Sequence, residues 1–405
     1  MHPISAILSS VALLLLGSGL LNTLLSLTAN NHGFSTATIG LIMSGYFLGF
    51  TCGTFVSGRL IQRMGHIRTF AFCAAICSTV ALLHFIWITP SAWLLLRFLY
   101  GLSFVTLMTV IESWLNSRSP KEQRGKIFAI YMVVNLGGIA IAQQLLRIGT
   151  AEPYLLFTMA SILICWALLP ITITRRPQPE VPKRARSSLK SLLQFAPLAV
   201  ASSGLSGLAM GAFWGMAPLY ASRQGMGFAE VGVLMSVTIL GGALLQIPIG
   251  RYSDTHDRRK VLIAVAFTAA SVCLLMPLVS GHTALMLLFF VWGGMSFSLY
   301  PLAVAQLLDQ LHPDEVISGS TDMLVLHGAG AAVAPLLAGL LMNVIGVHGL
   351  PLYISLVLFG LGSYAVYRVK RVSTLTVGEQ AHFEPMVQTS PEVLQMIEVE
   401  EETAA

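Results

Sequence analysis

Gly58-Arg59-Leu60-Ile61-Gln62-Arg63-Met64-Gly65-His66-Ile67-Arg68 follows one long apolar run and precedes another. About 192 positions later, Gly250-Arg251-Tyr252-Ser253-Asp254-Thr255-His256-Asp257-Arg258-Arg259-Lys260 stands in the same setting. A charged connection repeated at half the length of an apolar chain marks two like halves that move against each other, an internal repeat of the kind built into many membrane proteins.

Composition sets the class. Of 405 residues, 55% are hydrophobic and only 10% charged, with a mean hydropathy of +0.77. Soluble domains carry roughly 25% charged residues, so most of this surface must face lipid. Apolar runs of about 20 residues, the length that crosses roughly 30 Å of hydrocarbon as a helix, recur near 5–29, 37–58, 69–89, 92–116, 125–148, 153–174, 194–221, 227–250, 259–279, 283–308, 316–345 and 348–368. Strand patterning, with its alternation of apolar and polar residues, is absent from them. The first run has only Met1-His2-Pro3 before it and is too long for the apolar core of a signal peptide, so it reads as a retained first helix.

Lys and Arg orient the chain. With the N-terminus inside, the cytoplasmic side receives Arg59, Arg63, Arg68, Arg118, Lys121, Arg124, Lys126, the basic cluster near 175–190, Arg251, Arg258, Arg259, Lys260, Arg368, Lys370 and Arg371. The other side receives Arg147 and Arg223, while Arg97 falls inside a run. Both termini are then cytoplasmic, and the expected location is a bacterial inner membrane. Cys52, Cys73, Cys77, Cys165 and Cys273 all fall inside apolar runs, which suits small packing residues rather than a disulfide framework or a metal site.

Four segments result: a six-helix bundle over 1–174, a basic linker over 175–193, a second six-helix bundle over 194–371, and a tail over 372–405. Prolines and charge keep the first part of the linker out of regular helix and out of the membrane. The tail holds Glu379, Glu384, Glu392, Glu398, Glu400, Glu401 and Glu402 and no Lys or Arg, and is expected to be mobile. Val393–Ile397 within it has the makings of a short amphipathic helix and a latch for the basic loops.

The two charged stretches resemble the signature loop of the major facilitator superfamily, Gly-x-Leu-x-Asp-Arg-x-Gly-Arg-Arg/Lys between second and third helices. Gly58, Arg59, Leu60, Arg63, Gly65 and Arg68 carry it in the first half, and Gly250, Arg251, Asp254, Arg258 and Arg259 in the second. Pro248 to Asp254 and Glu112 to Asn116 are closer still to the YcaD-like bacterial members. The resemblance implies an all-α polytopic fold of about twelve transmembrane helices, two six-helix bundles related by a pseudo-twofold axis, and secondary active transport by alternating access. In the family the acid of this loop helps hold the outward-open state. Here that position is Gln62 in one half and Asp254 in the other, so the stronger latch is expected at Asp254 with Arg251 or Arg258.

Helices 1, 4, 7 and 10 line the central cavity in that fold. Residues three or four apart share a helix face, and such faces are polar or aromatic here: Ser18, Asn22, Ser26 and Asn30 on the first helix, Ser203, Ser206, Met210 and Trp214 on the seventh, and Trp292, Ser296 and Tyr300 on the tenth. With Met108 of the fourth helix, Asn22, Ser26, Met210, Trp214, Trp292, Ser296 and Tyr300 are the cavity candidates; whether each meets substrate or a neighbouring helix stays open. Gly45, Gly49 and Gly53 form a small-residue face on the second helix, and Gly328, Gly330, Gly339 and Pro335 mark the eleventh. In the family these two helices meet across the interface between halves.

Arg97 matches the family's fourth-helix Arg-x-x-x-Gly motif, linked there to proton coupling. An arginine within a membrane is costly enough to suggest function, although the side chain could also extend to the nearby interface. Glu112 lies ~22 Å further along the same helix and is either a protonation site or a structural partner of Arg63 or Arg124. His327 is the remaining titrating candidate for coupling.

The candidate cavity is apolar and aromatic with one Arg, which suits a neutral or weakly charged amphipathic molecule better than a polyvalent anion. The expected function is export of such a molecule, coupled to protons, by a monomer that needs no cofactor, metal or nucleic acid. Uptake is one alternative. A membrane sensor with the tail as output is another. An enzyme is disfavoured because neither a metal-binding HExxH nor a phosphate loop is present.

Overall fold

The computed structural model describes residues 3–148, 153–172, 189–310, 316–371, 383 and 385–386. The linker over 175–188 and Val393–Ile397 lie outside these described residues. Among the described residues twelve helical spans are long and apolar enough to cross a membrane, the sixth running over Tyr154–Thr172 past the end of α6; the helices are α1 (Pro3–Asn31), α2 (Thr36–Met64), α3 (His66–Ile86), α4 (Pro90–Arg118), α5 (Arg124–Gln144), α6 (Pro153–Trp166), α7 (Pro197–Arg223), α8 (Phe228–Thr255), α9 (Arg258–Leu275), α10 (His282–Leu308), α11 (Val316–Ile345) and α12 (Gly349–Val369). Leu48, Val133, Leu287 and Leu356 are more than half exposed on these helices, as lipid-facing side chains must be.

Helix ends follow local chemistry. Ser35 caps α2 by accepting from the Thr38 N–H, and Asp257 caps α9 through the Arg259 N–H. Pro90 and Pro197 sit in the first turns of α4 and α7, where no N–H is needed. Beyond α6 the helix breaks at Ala167 and resumes over Leu168–Thr172; Pro170 has no N–H for the Trp166 carbonyl.

The quoted stretches are more helical than hydropathy implies. Gly58 to Met64 belongs to α2, and Gly250 to Thr255 belongs to α8. Charge ends the apolar run, yet the helix continues because its cationic side chains reach water. Between α2 and α3 the turn is Gly65 alone, at φ 80°, a conformation that favours glycine.

The connections α2–α3, α4–α5 and α8–α9 gather at one end of the molecule, called here the basic end. Connections α1–α2, α3–α4, α7–α8, α9–α10 and α11–α12 lie at the opposite end.

Inside each bundle, glycines let backbones touch. A Cβ at Gly49 would strike the Phe98 carbonyl, and one at Gly101 the Tyr46 carbonyl, so α2 and α4 are in backbone contact. In the second bundle Gly241 meets the Phe290 carbonyl and Gly293 the Thr238 carbonyl, joining α8 to α10 in the same way. From 49 to 241, 98 to 290, 101 to 293 and 46 to 238, every shift equals that between Gly58 and Gly250. The duplication is therefore present in the packing as well as in the loops.

Candidate functional site

The two bundles meet through α2–α11, α5–α8 and α1–α7. Gly40 of α2 abuts the Pro335 carbonyl of α11, and Gly232 of α8 abuts the Gln143 carbonyl of α5, contacts again related by the same shift. Ser44 Oγ accepts from the Leu336 N–H at 3.1 Å. Gln144 donates to Ser236 Oγ at 2.6 Å, and Ser236 donates to the Ala140 carbonyl at 2.7 Å. All of these contacts lie in the part of the molecule away from the basic end, with Thr51 against Gly328 near mid-depth. Gly45, Gly49 and Gly53 do not join this interface: they face Leu94, Phe98 and Leu102 of α4, inside their own bundle. The four-residue spacing identifies a close-packing face but not the helix that occupies it.

The polar stripe of α1 runs along α7 of the other half. Asn22 Nδ2 donates to the Trp214 carbonyl at 3.0 Å, Ser26 Oγ to the Gly215 carbonyl at 3.4 Å, and Arg223 Nε to Asn30 Oδ1 at 3.2 Å. Pro218, one helical turn past Trp214, has no N–H, so the Trp214 carbonyl lacks its usual helical partner. Asn22 supplies the missing hydrogen bond from across the interface. Two cavity candidates, Asn22 and Ser26, are therefore engaged with a neighbouring helix backbone.

Arg97 is buried and does not extend to the interface. Its Nη2 donates to Asn22 Oδ1 at 2.7 Å, and its guanidinium carbon lies 4.6 Å from the Tyr46 ring centroid. Its Nε has no hydrogen-bond partner among the described residues. A continuous chain thus runs from Arg97 of α4 through Asn22 of α1 to Trp214 of α7. Asn22 reads as polar from sequence alone; its double engagement needs the tertiary packing of three helices.

Of the candidates on α7 and α10, Trp214 and Trp292 join one aromatic cluster through Phe213. Phe213 lies tilted against Trp292 at 4.9 Å, and Trp214 meets Phe297 and Phe289 meets Trp292 edge-on at 5.9 and 6.3 Å between ring centroids. Met210 and Met108 are buried. Trp292 Nε1 and Ser296 Oγ have no partner among the described residues. Tyr300 packs edge-on to His327 at 4.7 Å, and Ser206 Oγ lies 3.0 Å from His327 Nδ1. Phe213, Phe289 and Phe297 are missed by a reading that follows polar stripes; their signal is aromatic spacing along the faces that carry Trp214 and Trp292.

Glu112 is buried and accepts from the Tyr131 hydroxyl of α5. At the basic end Arg258 is 1% exposed and reaches two carboxylates, Asp254 Oδ1 at 3.1 Å and Asp309 Oδ1 at 2.7 Å. The Asp254–Arg258 pair named from the loop is in contact, and Asp309, the residue that caps the end of α10, joins it. Gly58 has open space at its Cβ position, whereas the Cβ position of Gly250 is filled by the Phe383 ring. Arg59, Arg63 and Arg251 are set in the last turns of α2 and α8, Gln62 is exposed there, and Arg68 lies in the first turn of α3.

A sequence model of the Major Facilitator Superfamily matches residues 7–227 and again 199–390. The chain belongs to the Major Facilitator Superfamily. The uncharacterised MFS-type transporter YcaD of Escherichia fergusonii is 29% identical over 350 residues, 84% of this chain and 89% of that one. The crystal structure of the nucleoside transporter NupG superposes with a TM-score of 0.76 at 13% identity, over 92% of this chain and 100% of that chain. A bacterial homologue of the human lysosomal transporter Spinster, inward-facing and occupied, gives 0.74 at 11% identity, over 95% and 98%. Identities of that size bear on the fold alone. The protein is a multi-pass membrane transporter of this superfamily, not an enzyme.

Proposed function

We propose that the protein exports a small, neutral or weakly charged amphipathic molecule by alternating access, coupled to protons, across a bacterial inner membrane with its basic end in the cytoplasm. One observation carries this reading. Glycine-tight contacts weld each bundle internally along its depth, while the contacts between bundles, Gly40 with Pro335, Gly232 with Gln143 and a few hydrogen bonds, gather towards one end. Two rigid bodies joined this way rock; they do not deform.

In this reading the structure is the state closed at the opposite end, and Arg97–Asn22–Trp214 is its gate. The aromatic cluster of Trp214, Phe213, Trp292 and Phe297 supports an apolar-bodied substrate, and Arg97 supplies a single positive charge for a polar or singly charged group. Molecules of this kind enter cells through lipid unaided, so a protein that recognises them is useful in the outward direction. His327 is the proposed proton site. The side chains facing it are Ser206 of α7 and Tyr300 of α10.

A thermal-stability screen across chemical classes would find ligands. Counterflow of a hit in proteoliposomes, with and without a pH gradient, then tests the reading. Exchange that responds to the gradient in the native protein, and loses that response in His327→Gln, is expected. A ligand that binds and never crosses would make the protein a sensor.

A further inference from the structure

Phe383 and Met386 are buried although they belong to the acidic tail, at 7% and 4% exposure. The Phe383 N–H donates to Asp254 Oδ1 at 2.8 Å, and its ring fills the space beside Gly250. Gln246 Nε2 donates to the Met386 carbonyl at 2.9 Å and to the Phe297 carbonyl at 3.2 Å. Gln246 lies nine residues inside the end of α8, so the tail enters the bundle to a depth of about 13 Å.

The occupied face is informative. Gly232 and Gly250 are 18 residues apart, five full turns at 3.6 residues per turn, so they share one face of α8. At the opposite end that face receives α5 of the other half, at the Gln143 carbonyl. At the basic end, ~27 Å away, it receives Phe383. Gly58, the counterpart of Gly250 in the first half, has nothing within contact distance. The tail therefore sits where the other bundle must arrive when the molecule closes at its basic end.

We propose that Gln246, Gly250, Asp254 and Phe297 form a docking site for the protein's own Phe383 and Met386, which act as a plug that holds the transporter open at the basic end. Docking also occupies Asp254, whose carboxylate is shared between Arg258 and the tail amide. Release of the plug frees both the glycine face and this acid for the closing movement. The proposal rests on the alternating-access reading above.

Distance measurement between spin labels tests it without a known substrate. Cys73, Cys77 and Cys273 are buried, so replacing Cys52 and Cys165 leaves a background in which added thiols react selectively. Labels at Ser117→Cys and Lys260→Cys, both exposed at the basic end, report on its opening in nanodiscs. The full chain should show mainly the long distance. Truncation after Arg371, or Phe383→Asp, should lower the ratio of long to short distances by roughly tenfold, about 1.4 kcal/mol. Phe383→Leu, which keeps an apolar side chain, should stay near the native ratio. Two populations whose ratio ignores the tail would overturn the plug and leave alternating access standing. One unchanging distance in every variant would overturn both.

Discussion

Replacing Asn22 by Asp separates two tasks that Asn22 performs at once. Its Oδ1 accepts from the Arg97 guanidinium at 2.7 Å, and its Nδ2 donates to the Trp214 carbonyl at 3.0 Å. Asn22→Ala removes both bonds. The charge-assisted one alone is worth about 1.5–3 kcal/mol, and its loss leaves a 1%-exposed guanidinium with Nε already unpartnered. A lower melting temperature follows. Asn22→Asp keeps an acceptor for Arg97, now a carboxylate, but has no donor for the Trp214 carbonyl. Because Pro218 withholds the helical N–H, that carbonyl is left facing an oxygen, at a cost of about 1–3 kcal/mol. Stability is retained while closure at the opposite end weakens by a factor of roughly 5 or more. Spin labels at His32→Cys and His348→Cys, both exposed at that end, measure the closed fraction, and thermal melting measures stability. If Asn22→Asp leaves the closed fraction unchanged, or melts as low as Asn22→Ala, Asn22 does not bridge the halves in the way described.

Restoring the helical N–H makes a companion test: in a Pro218→Ala background the Trp214 carbonyl has its own partner, so Asn22→Asp should open the gate by a clearly smaller factor, read with the same labels. Gly49→Ala and Gly241→Ala each drive a methyl into a carbonyl of the neighbouring helix and should destabilise their bundles by a similar ~1–3 kcal/mol, whereas Gly58→Ala meets open space and should melt as the native protein does. Arg258→Met removes the cation that Asp309, 7% exposed, meets at 2.7 Å and should lower the melting temperature, since breaking a buried pair from one side costs about 3 kcal/mol; equal thermal stability would show that this pair adds nothing to the fold.

Much of the fold was legible because it is periodic. Apolar length located the helices, and the repeated charged stretch located the duplication. Helix ends were less legible: α2 runs to Met64 and α8 to Thr255, beyond the apolar signal, because a helix persists into water as long as its side chains are content there. At the site, residue types were visible and partners were not. The stripe of Asn22 and Ser26 left substrate and a neighbouring helix equally open, and each gives a hydrogen bond to the α7 backbone. Gly45, Gly49 and Gly53 looked like a sliding interface, yet they weld α2 to α4. Both outcomes have one cause. Helical spacing tells which residues share a face, while the occupant of that face is decided by the arrangement of other helices. Phe383 was harder still, since a single aromatic in a Glu-rich tail carries no periodic signal at all.

Prolines offer a way past that limit. A proline within a helix frees the carbonyl four residues earlier, and in lipid that carbonyl must find a donor elsewhere. Pro218 frees Trp214, and the donor is Asn22 of the other half. Pro301 frees Phe297, and the donor is Gln246, whose amide also holds the Met386 carbonyl of the tail. Both freed carbonyls belong to helices of the second half, one at the gate and one beside the plug. In each case a side-chain amide on a different helix answers the proline. Packing inside each bundle relies on glycine, where backbones touch and little can shift. The gate bond proposed to form and break joins the Asn22 amide of one half to a proline-freed carbonyl of the other, satisfied in one arrangement and orphaned in the other, whereas Gln246 and Phe297 belong to one bundle. Such a pair gives a two-state element a preference worth about a hydrogen bond, enough to bias a rocking equilibrium and small enough to be reversed by a ligand.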